Sequence, residues 1–466
     1  MKRSLKRGIL AASVAAIGLA SGTAMAENDV AAMREQVEAM KERVAKIEAE
    51  RETKKRIAAA ASVEAGSRPR SWKLPGTNTS MSIGGYVKAD FIWDMNAPAG
   101  DKFSQDSDSL AVDNSVAARK QGQFRFHARS SRLFVRTDTP TDWGALVTYF
   151  EADFFGGSTS VSSQVNNGYF ANSDFRLRHA YGQLGPVLAG QTTSLFLPSS
   201  YFGEIIDAGG PVGTNTNRRG QLRYTHVFPG GFSLAASIED PGSPGRTVCA
   251  TNSPSTICSA GLATNPVFTY PEFVVSGEYN FANGRVWLGG LLRNVQNDTG
   301  AGQHEENWGY QFAMAFNYRF TPRTGLGFFG TVGKGQNAFV QYNQQVINGG
   351  INDYSADTVF GYTLYAWVQH KLTDTIRVNL NVGYLFNDVA DATDGGKAGI
   401  RPISTASATA PVVGVVHWVN SYHVNLIWSP VPQVDFGIEY MYAIMSRYNG
   451  PNSKLSRIQA AMLYRF

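Results

Sequence analysis

The segment Ser456-Arg457-Ile458-Gln459-Ala460-Ala461-Met462-Leu463-Tyr464-Arg465-Phe466 alternates almost strictly between apolar and polar side chains. Ile458, Ala460, Met462, Tyr464 and Phe466 fall on one face of a strand and Arg457, Gln459 and Arg465 on the other, the period-2 pattern of a sheet with two unlike sides. No polar tail follows Phe466. A soluble sheet would leave such an edge open to pairing with other chains. A closed barrel in a bacterial outer membrane pairs its last strand with its first and sets terminal aromatics in the interfacial girdle. The segment is therefore expected to close a barrel.

The same alternation recurs upstream. Trp308, Tyr310, Phe312, Met314, Phe316, Tyr318 and Phe320 share one face, opposite Gln311, Asn317 and Arg319. Ile376, Val378, Leu380, Val382 and Tyr384 oppose Arg377, Asn379 and Asn381, and Val434, Phe436, Ile438, Tyr440 and Tyr442 oppose Asp435 and Glu439. Such faces are expected to meet lipid outside and water inside. Sixteen candidate strands begin near residues 81, 122, 143, 173, 187, 220, 232, 270, 284, 305, 324, 358, 374, 416, 433 and 455. Long connections near 96–120, 157–172, 240–269, 335–357 and 388–414 alternate with short ones such as Thr139–Asp142 and Leu372–Asp374, as expected for long outer loops and tight periplasmic turns. With 48 Gly, 27 Phe and 20 Tyr, the composition suits many strands and tight turns. A mean hydropathy of −0.21 is no objection, because a wall facing lipid on one side and water on the other averages to neutral. The expected fold class is all-β, a transmembrane antiparallel β-barrel of about 16 strands over residues 81–466, wide enough for an aqueous lumen.

The N-terminal part reads differently. Lys2, Arg3, Lys6 and Arg7 precede the apolar stretch Gly8–Leu19, and Ala24 and Ala26 flank Met25 like a cleavage site, so residues 1–26 are expected to be a secretory signal peptide. Without those four cations the chain carries 38 basic residues against 37 acidic ones, so its basic balance says little about nucleic acid, which is not an expected partner. Beyond the leader no run of about 18 uninterrupted apolar residues occurs, and a crossing by helices is not expected. Residues 27–60 are expected to form a helix whose Val30, Met33, Val37, Met40, Val44 and Ile47 make the a/d seam of a coiled coil. A lone helix of this size is marginal in water, so the stripe calls for partners, and copies of itself are the simplest. Porin-type barrels of this size associate in threes, and a homotrimer with the coiled coil in the periplasm is expected. A single helix lying against the barrel mouth is the alternative. Residues 61–80, with Ser67-Arg68-Pro69-Arg70-Ser71, read as a linker.

Arginines collect on the inferred lumen phase: Arg125 and Arg129, Arg132 and Arg136, Arg176 and Arg178, Arg219 and Arg223, Arg293 and Arg377, with Arg319 in the same pattern. The pairs 125/129 and 132/136 are out of phase, and a bulge at Ser130 and Ser131 would reconcile them. A wall of guanidinium groups focuses positive potential in a low-dielectric tube and suits bidentate capture of carboxylate or phosphate. Asp90, Asp94, Glu151, Asp153, Asp435 and Glu439 are acidic partners, and the competing reading is a wall of mixed charge in which most of these arginines pair with carboxylates to hold the loops. A constriction needs an inserted loop. The apolar, helix-like stretch from Leu195 to Asp207, bounded by Pro198 and Pro211, is the candidate, with Tyr201, Glu204 and Asp207 expected opposite the arginines. The alternative packs that stretch on the outside of the barrel or at the trimer contact. Cys249 and Cys258, the only cysteines, are expected to form a local disulfide worth about 2 to 3 kcal/mol in an exported chain. No metal-ligand spacing, phosphate loop or nucleophile elbow is evident, and no metal or cofactor is expected.

The leader, the short heptad helix, Gly85-Tyr86-Val87-Lys88-Ala89-Asp90-Phe91-Ile92-Trp93-Asp94, and above all Arg176-Leu177-Arg178-His179-Ala180-Tyr181-Gly182-Gln183-Leu184-Gly185 followed by Ala189-Gly190-Gln191-Thr192-Thr193-Ser194-Leu195-Phe196 resemble the DcaP-like family of outer-membrane porins over nearly the whole mature chain. The resemblance implies a trimeric, sixteen-stranded channel with a periplasmic coiled coil and a preference for negatively charged small molecules, dicarboxylates in particular. The arginines named above rest on strand phase, not on the family. The expected partners are small anionic solutes, outer-membrane lipid and lipopolysaccharide. Three other classes compete: a general, weakly selective porin; a structural anchor using the coiled coil; and a barrel hydrolase built on Ser421 with His417 or His423. The last conflicts with the outward phase of Trp418, Tyr422, Val424 and Leu426, which places the dyad away from lipid.

Overall fold

The computed structural model describes residues 27–60, 64–96, 100, 113, 118–119, 122–156, 174–214, 217–241, 269–298, 304–335, 360–388, 416–447 and 452–466. Residues 1–26, expected to be a leader, both cysteines and most of the long connections lie outside these residues. The chain divides into two units at residues 65 and 66.

The first unit contains α1 (Glu27–Ala60), 34 residues rich in Ala, Glu, Lys and Arg, all good helix formers. Met33, Val37, Met40, Val44 and Ile47 are between 46% and 62% exposed, so within one chain the stripe is uncovered. Val30 lies on the same helix.

In the second unit the strands are β1 (Ser80–Asp94), β2 in two parts (Gln123–His127 and Arg132–Thr141), β3 (Gly144–Asp153), β4 (Arg176–Leu184), β5 (Val187–Thr193), β6 (Arg218–Val227), β7 (Phe232–Glu239), β8 (Glu272–Phe281), β9 (Gly284–Asp298), β10 (His304–Thr321), β11 (Thr324–Lys334), β12 (Phe360–Lys371), β13 (Ile376–Asn387), β14 (Val416–Val431), β15 (Val434–Arg447) and β16 (Ser453–Arg465). Both parts of β2 pair with β1, and Trp72–Lys73 is a two-residue appendage on the start of β1. All neighbours are antiparallel, and β16 returns to β1 with Ile458 opposite Trp93 and Tyr464 opposite Val87. The sheet is therefore a closed barrel of sixteen strands.

The two faces of the closing strand separate as alternation requires. Met462, Tyr464 and Phe466 are 43%, 48% and 49% exposed, whereas Arg457 and Gln459 are 0% and 2% exposed. Phe91, Phe312, Val424, Ile438 and Tyr440 repeat the uncovered outer face around the wall. In water such a belt would be an aggregation surface; in a bilayer it is the solvated side.

Two irregularities set the phase of the inner wall. Between His127 and Arg132 the chain turns, with Ser131 N donating to Ala128 O at 3.0 Å, which is where the phases of the arginines conflict. A second lies in the β3–β4 register, where Glu151 pairs with His179 and Ala152 with Leu177. Arg178 is the extra residue.

One part of the inner wall departs from the expected polar lining. Val274, Trp287, Leu291, Ala313, Ala315, Phe329 and Tyr365 form a buried apolar cluster with Phe196, Leu197 and Tyr201. The connection between β5 and β6 thus lies inside the barrel, against β8–β12. Its expected helical character is corrected: a single 3-10 turn, Ser199–Tyr201, is present. Pro198 withholds an N–H, Gly203 loosens the chain just beyond, and the apolar side chains point to one flat wall, not around an axis.

Candidate functional site

The β5–β6 connection crosses the lumen on a series of hydrogen bonds to inward side chains. Leu195 N donates to Glu239 Oε1 at 2.7 Å, and Trp367 Nε1 donates to Tyr201 O at 2.8 Å. The Tyr365 hydroxyl accepts from Gly203 N at 2.8 Å and donates to Asn381 Oδ1 at 2.7 Å. Asn381 and Asn425 both donate to Glu204 O, at 3.1 and 3.0 Å. Ile206 and Asp207 N–H donate to the Glu439 carboxylate at 2.9 and 3.1 Å. Val212 N donates to Ser421 Oγ at 3.0 Å. From the facing wall, Lys88 Nζ donates to Ile206 O at 2.6 Å. A loop held by so many satisfied polar groups is a fixed partition.

Ser421 and His423 belong to this scaffold. Ser421 holds the loop backbone, and His423 Nδ1 lies 3.2 Å from Glu439 Oε1 in a fully buried pair. Neither meets the outer face, so the hydrolase arrangement that sequence proximity suggested has another use here.

Between the loop residues Gly203–Thr214 and the wall formed by β1–β4 lies a cavity of ≈ 300 Å³. Its wall side carries Tyr86, Lys88, Arg132, Asp153, Arg176 and Arg178; its loop side presents Ile205–Pro211. Arg176 grips Asp153 with both fork nitrogens, Nε to Oδ1 at 2.8 Å and Nη2 to Oδ2 at 2.6 Å. Arg178 bridges Glu151 (2.5 Å) and Asp153 (2.8 Å). Arg132 Nη1 is 3.5 Å from Glu151 Oε1, and its guanidinium lies 5.4 Å from the Tyr86 ring centre. Phe155 packs under Arg129 and Arg176, at 4.9 and 5.4 Å. Arg218, at the start of β6, is within electrostatic reach of Arg132, Arg176 and Arg178. Among the residues that line the gap, the cations Lys88, Arg132, Arg176 and Arg178 outnumber the carboxylates Asp153 and Asp207. The carboxylates orient the guanidinium planes and leave outer N–H groups for a further acceptor.

Of the ten expected arginines, Arg132, Arg176 and Arg178 line this cavity. Arg129 stands behind them on Phe155. The others are spread around the wall. Arg125 pairs with Asp94 at 2.6 Å, and Arg136 with Asp138 of its own strand at 2.7 Å. Arg223 Nη2 donates to Thr193 O at 2.7 Å. Arg219 is buried on β6, and Arg293, also buried, is 3.3 Å from Glu272. Arg377 holds Glu204 and lies 3.6 Å from Asp435.

The three loop residues also part company. Asp207 faces the cavity, 3.9 Å from Arg457 Nη1. Glu204 is tied to Arg377 on the far wall. Tyr201 is buried in the apolar cluster with Arg285 4.1 Å above its ring, so it anchors the loop and does not face the arginines of β2–β4. Lys88, Tyr86, Arg218 and Arg285 were not singled out from the sequence. Lys88 and Tyr86 stand in the β1 segment that carries the family resemblance, and Lys88 has the phase of Asp90 and Asp94, a signal that was available.

The sequence profile of the family described as DcaP outer membrane protein matches residues 20–287. Among solved structures, the outer membrane channel DcaP of Acinetobacter baumannii is similar at a TM-score of 0.64 and 21% identity, over 86% of this chain and 100% of that one. An anion-selective porin from Comamonas acidovorans is similar at a TM-score of 0.50 and 11% identity, over 83% and 100% of the two chains. No curated protein sequence matches. At these identities the two structures speak to the fold.

Proposed function

Because the chain belongs to the DcaP outer membrane protein family, we propose that it is a passive outer-membrane channel for small negatively charged solutes, dicarboxylates first among them, selected where the β5–β6 loop faces the arginine wall. The observation that carries this reading is the ≈ 300 Å³ gap itself, in which Lys88, Arg132, Arg176 and Arg178 face a loop that supplies a single carboxylate, Asp207. A solute carboxylate replaces water on the free N–H groups of guanidinium forks already oriented by Asp153 and Glu151, so little side-chain entropy is lost on contact. A second carboxylate on the same solute meets the next cation along the wall. The anion-selective porin of similar fold is consistent with this chemistry.

The test is reversal potential in planar bilayers under a salt gradient. The unmodified protein is expected to pass anions over cations, and Arg176→Ala with Arg178→Ala to lower that preference about tenfold or invert it, because Glu151 and Asp153 are left uncompensated. A cation-preferring pore whose selectivity ignores both changes would refute the arginine reading while leaving the channel intact. One observation favours a second reading, a general pore with weak selectivity: Arg176 and Arg178 are already paired with carboxylates. The same measurement separates the two.

The uncovered stripe on α1 supports a trimer joined by a three-stranded coiled coil, which the secretory leader and barrel orientation would set in the periplasm. The outer belt is then shared between neighbouring barrels, lipid and lipopolysaccharide. Cys249 and Cys258 are proposed to staple the connection between β7 and β8.

A further inference from the structure

A second cavity, of ≈ 500 Å³, opens among the short turns at the ends of β8–β12. Arg285 from β9, Arg319 from β10, Arg323 from the β10–β11 turn and Lys371 from the end of β12 line it, with Trp367 and Gln369. Arg319 has the inward phase, between outward Tyr318 and Phe320, and Lys371 stands opposite inward Arg377. Arg285 stands opposite inward Asn317.

Three features set this cavity apart from a chance grouping of basic turn residues. Among the described residues, none of its lining side chains is a carboxylate, and Arg285, Arg319, Arg323 and Lys371 form no ion pair. Of the neighbouring acids, Glu204 is held by Arg377, while Glu278, which accepts from Asn280 Nδ2 at 3.0 Å, stands beside Tyr201 and offsets part of the field. Next, Arg285 is fixed in place by the Tyr201 ring at 4.1 Å and by donation to Ser200 O, so one cation is preorganised by the constriction loop itself. Lastly, the floor is shaped. A Cβ at position 327 would come 2.3 Å from Trp367 Nε1, so Gly327 leaves the room that the indole occupies. Gln369, bonded to Glu204 and Asn379 at 2.9 Å each, is likewise held.

We propose that this cavity is a second anion site, at the turn-side mouth of the lumen, that takes the carboxylate or phosphate group of a soluble solute. It goes beyond the reading of the gap at Arg176 and Arg178 and does not depend on that gap being selective. Four cations with no ion-pair partner among the described residues, set around a concave surface, concentrate anions there, and an anion leaving the constriction meets a field that draws it onward. The inward phase of Arg285, Arg319 and Lys371 favours a solute over the headgroup of a neighbouring phospholipid.

Succinate binding to the full chain in detergent, followed by isothermal titration, tests the site without reference to conductance. The unmodified protein is expected to show two classes of site per chain. The triple variant R319Q/R323Q/K371Q is expected to lose one class or weaken it at least about tenfold; R176Q/R178Q is expected to lose the other. Three outcomes overturn the proposal: one class of site only, abolished by R176Q/R178Q; isotherms of the triple variant that match the parent; or succinate displaced by dihexanoylphosphatidylglycerol but not by glycerol 3-phosphate, which would make the site a lipid headgroup pocket. Heat-dependent gel migration of each variant confirms a closed barrel. A failure of the channel reading itself appears instead as a silent barrel in planar bilayers.

Discussion

Arg457 sits in the inward phase of the closing strand with its side chain fully buried. Its Nε holds Asp94 Oδ1 at 2.6 Å, Nη2 reaches Asp94 Oδ2 at 3.2 Å and Gly100 O at 2.7 Å, and Nη1 lies 3.9 Å from Asp207 of the β5–β6 loop. One side chain thus joins the last strand to the first and touches the loop. Removing it leaves the buried Asp94 with Arg125 as a remaining ion-pair partner, so the loss is a fraction of the about 3 to 5 kcal/mol that a fully broken buried pair costs. Arg457→Ala is therefore expected to unfold at lower temperature in detergent, and Arg457→Lys to recover part of the loss, because an ammonium restores charge but not the fork. Equal midpoints for all three proteins would show that the seam does not depend on this pair. The inward placement of Arg457 was legible from alternation. Its partner was not, since Asp94 comes beside it only when the barrel closes.

At the scale of the element, the β5–β6 connection folds into the lumen against β8–β12. Its apolar character between Pro198 and Pro211 marked it as a buried segment, but its destination was written elsewhere. Inward-phase Val274, Trp287, Leu291 and Phe329 break the polar lining of β8, β9 and β11, and the loop covers them. Strands apolar on both faces were the available signal. On the polar side, Gly383 gives the loop room: a Cβ there would stand 2.0 Å from Val212 O. Gly383→Val is expected to push the loop from β13 into the gap or off the wall while the sixteen strands stay closed. Single-channel conductance should then change about twofold or more, with unaltered heat-dependent gel migration. A variant with parental conductance would show that the loop tolerates the displacement elsewhere.

At the scale of the molecule, α1 and the barrel make separate demands for partners. The helix stripe from Met33 to Ile47 is uncovered in the single chain, so deletion of residues 27–60 is expected to weaken a trimer, read by light scattering in detergent, without changing the conductance of each pore. A trimer of unchanged stability would assign assembly to the barrel walls. The barrel, its closure by the terminal strand, the sixteen strand starts to within about three residues, and the inward phase of the arginines were legible in the chain alone. These follow from a period-2 pattern between two solvents, which each strand carries locally. Which of those arginines share one space with the loop emerged on folding. Curvature, two bulges and the path of one connection bring Lys88, Arg132, Arg176 and Arg178 to a single gap, send Arg293 and Arg377 to other parts of the wall, and place Arg285 and Lys371 around another cavity. Those distances depend on contacts between residues hundreds of positions apart, and a local pattern carries no information about them.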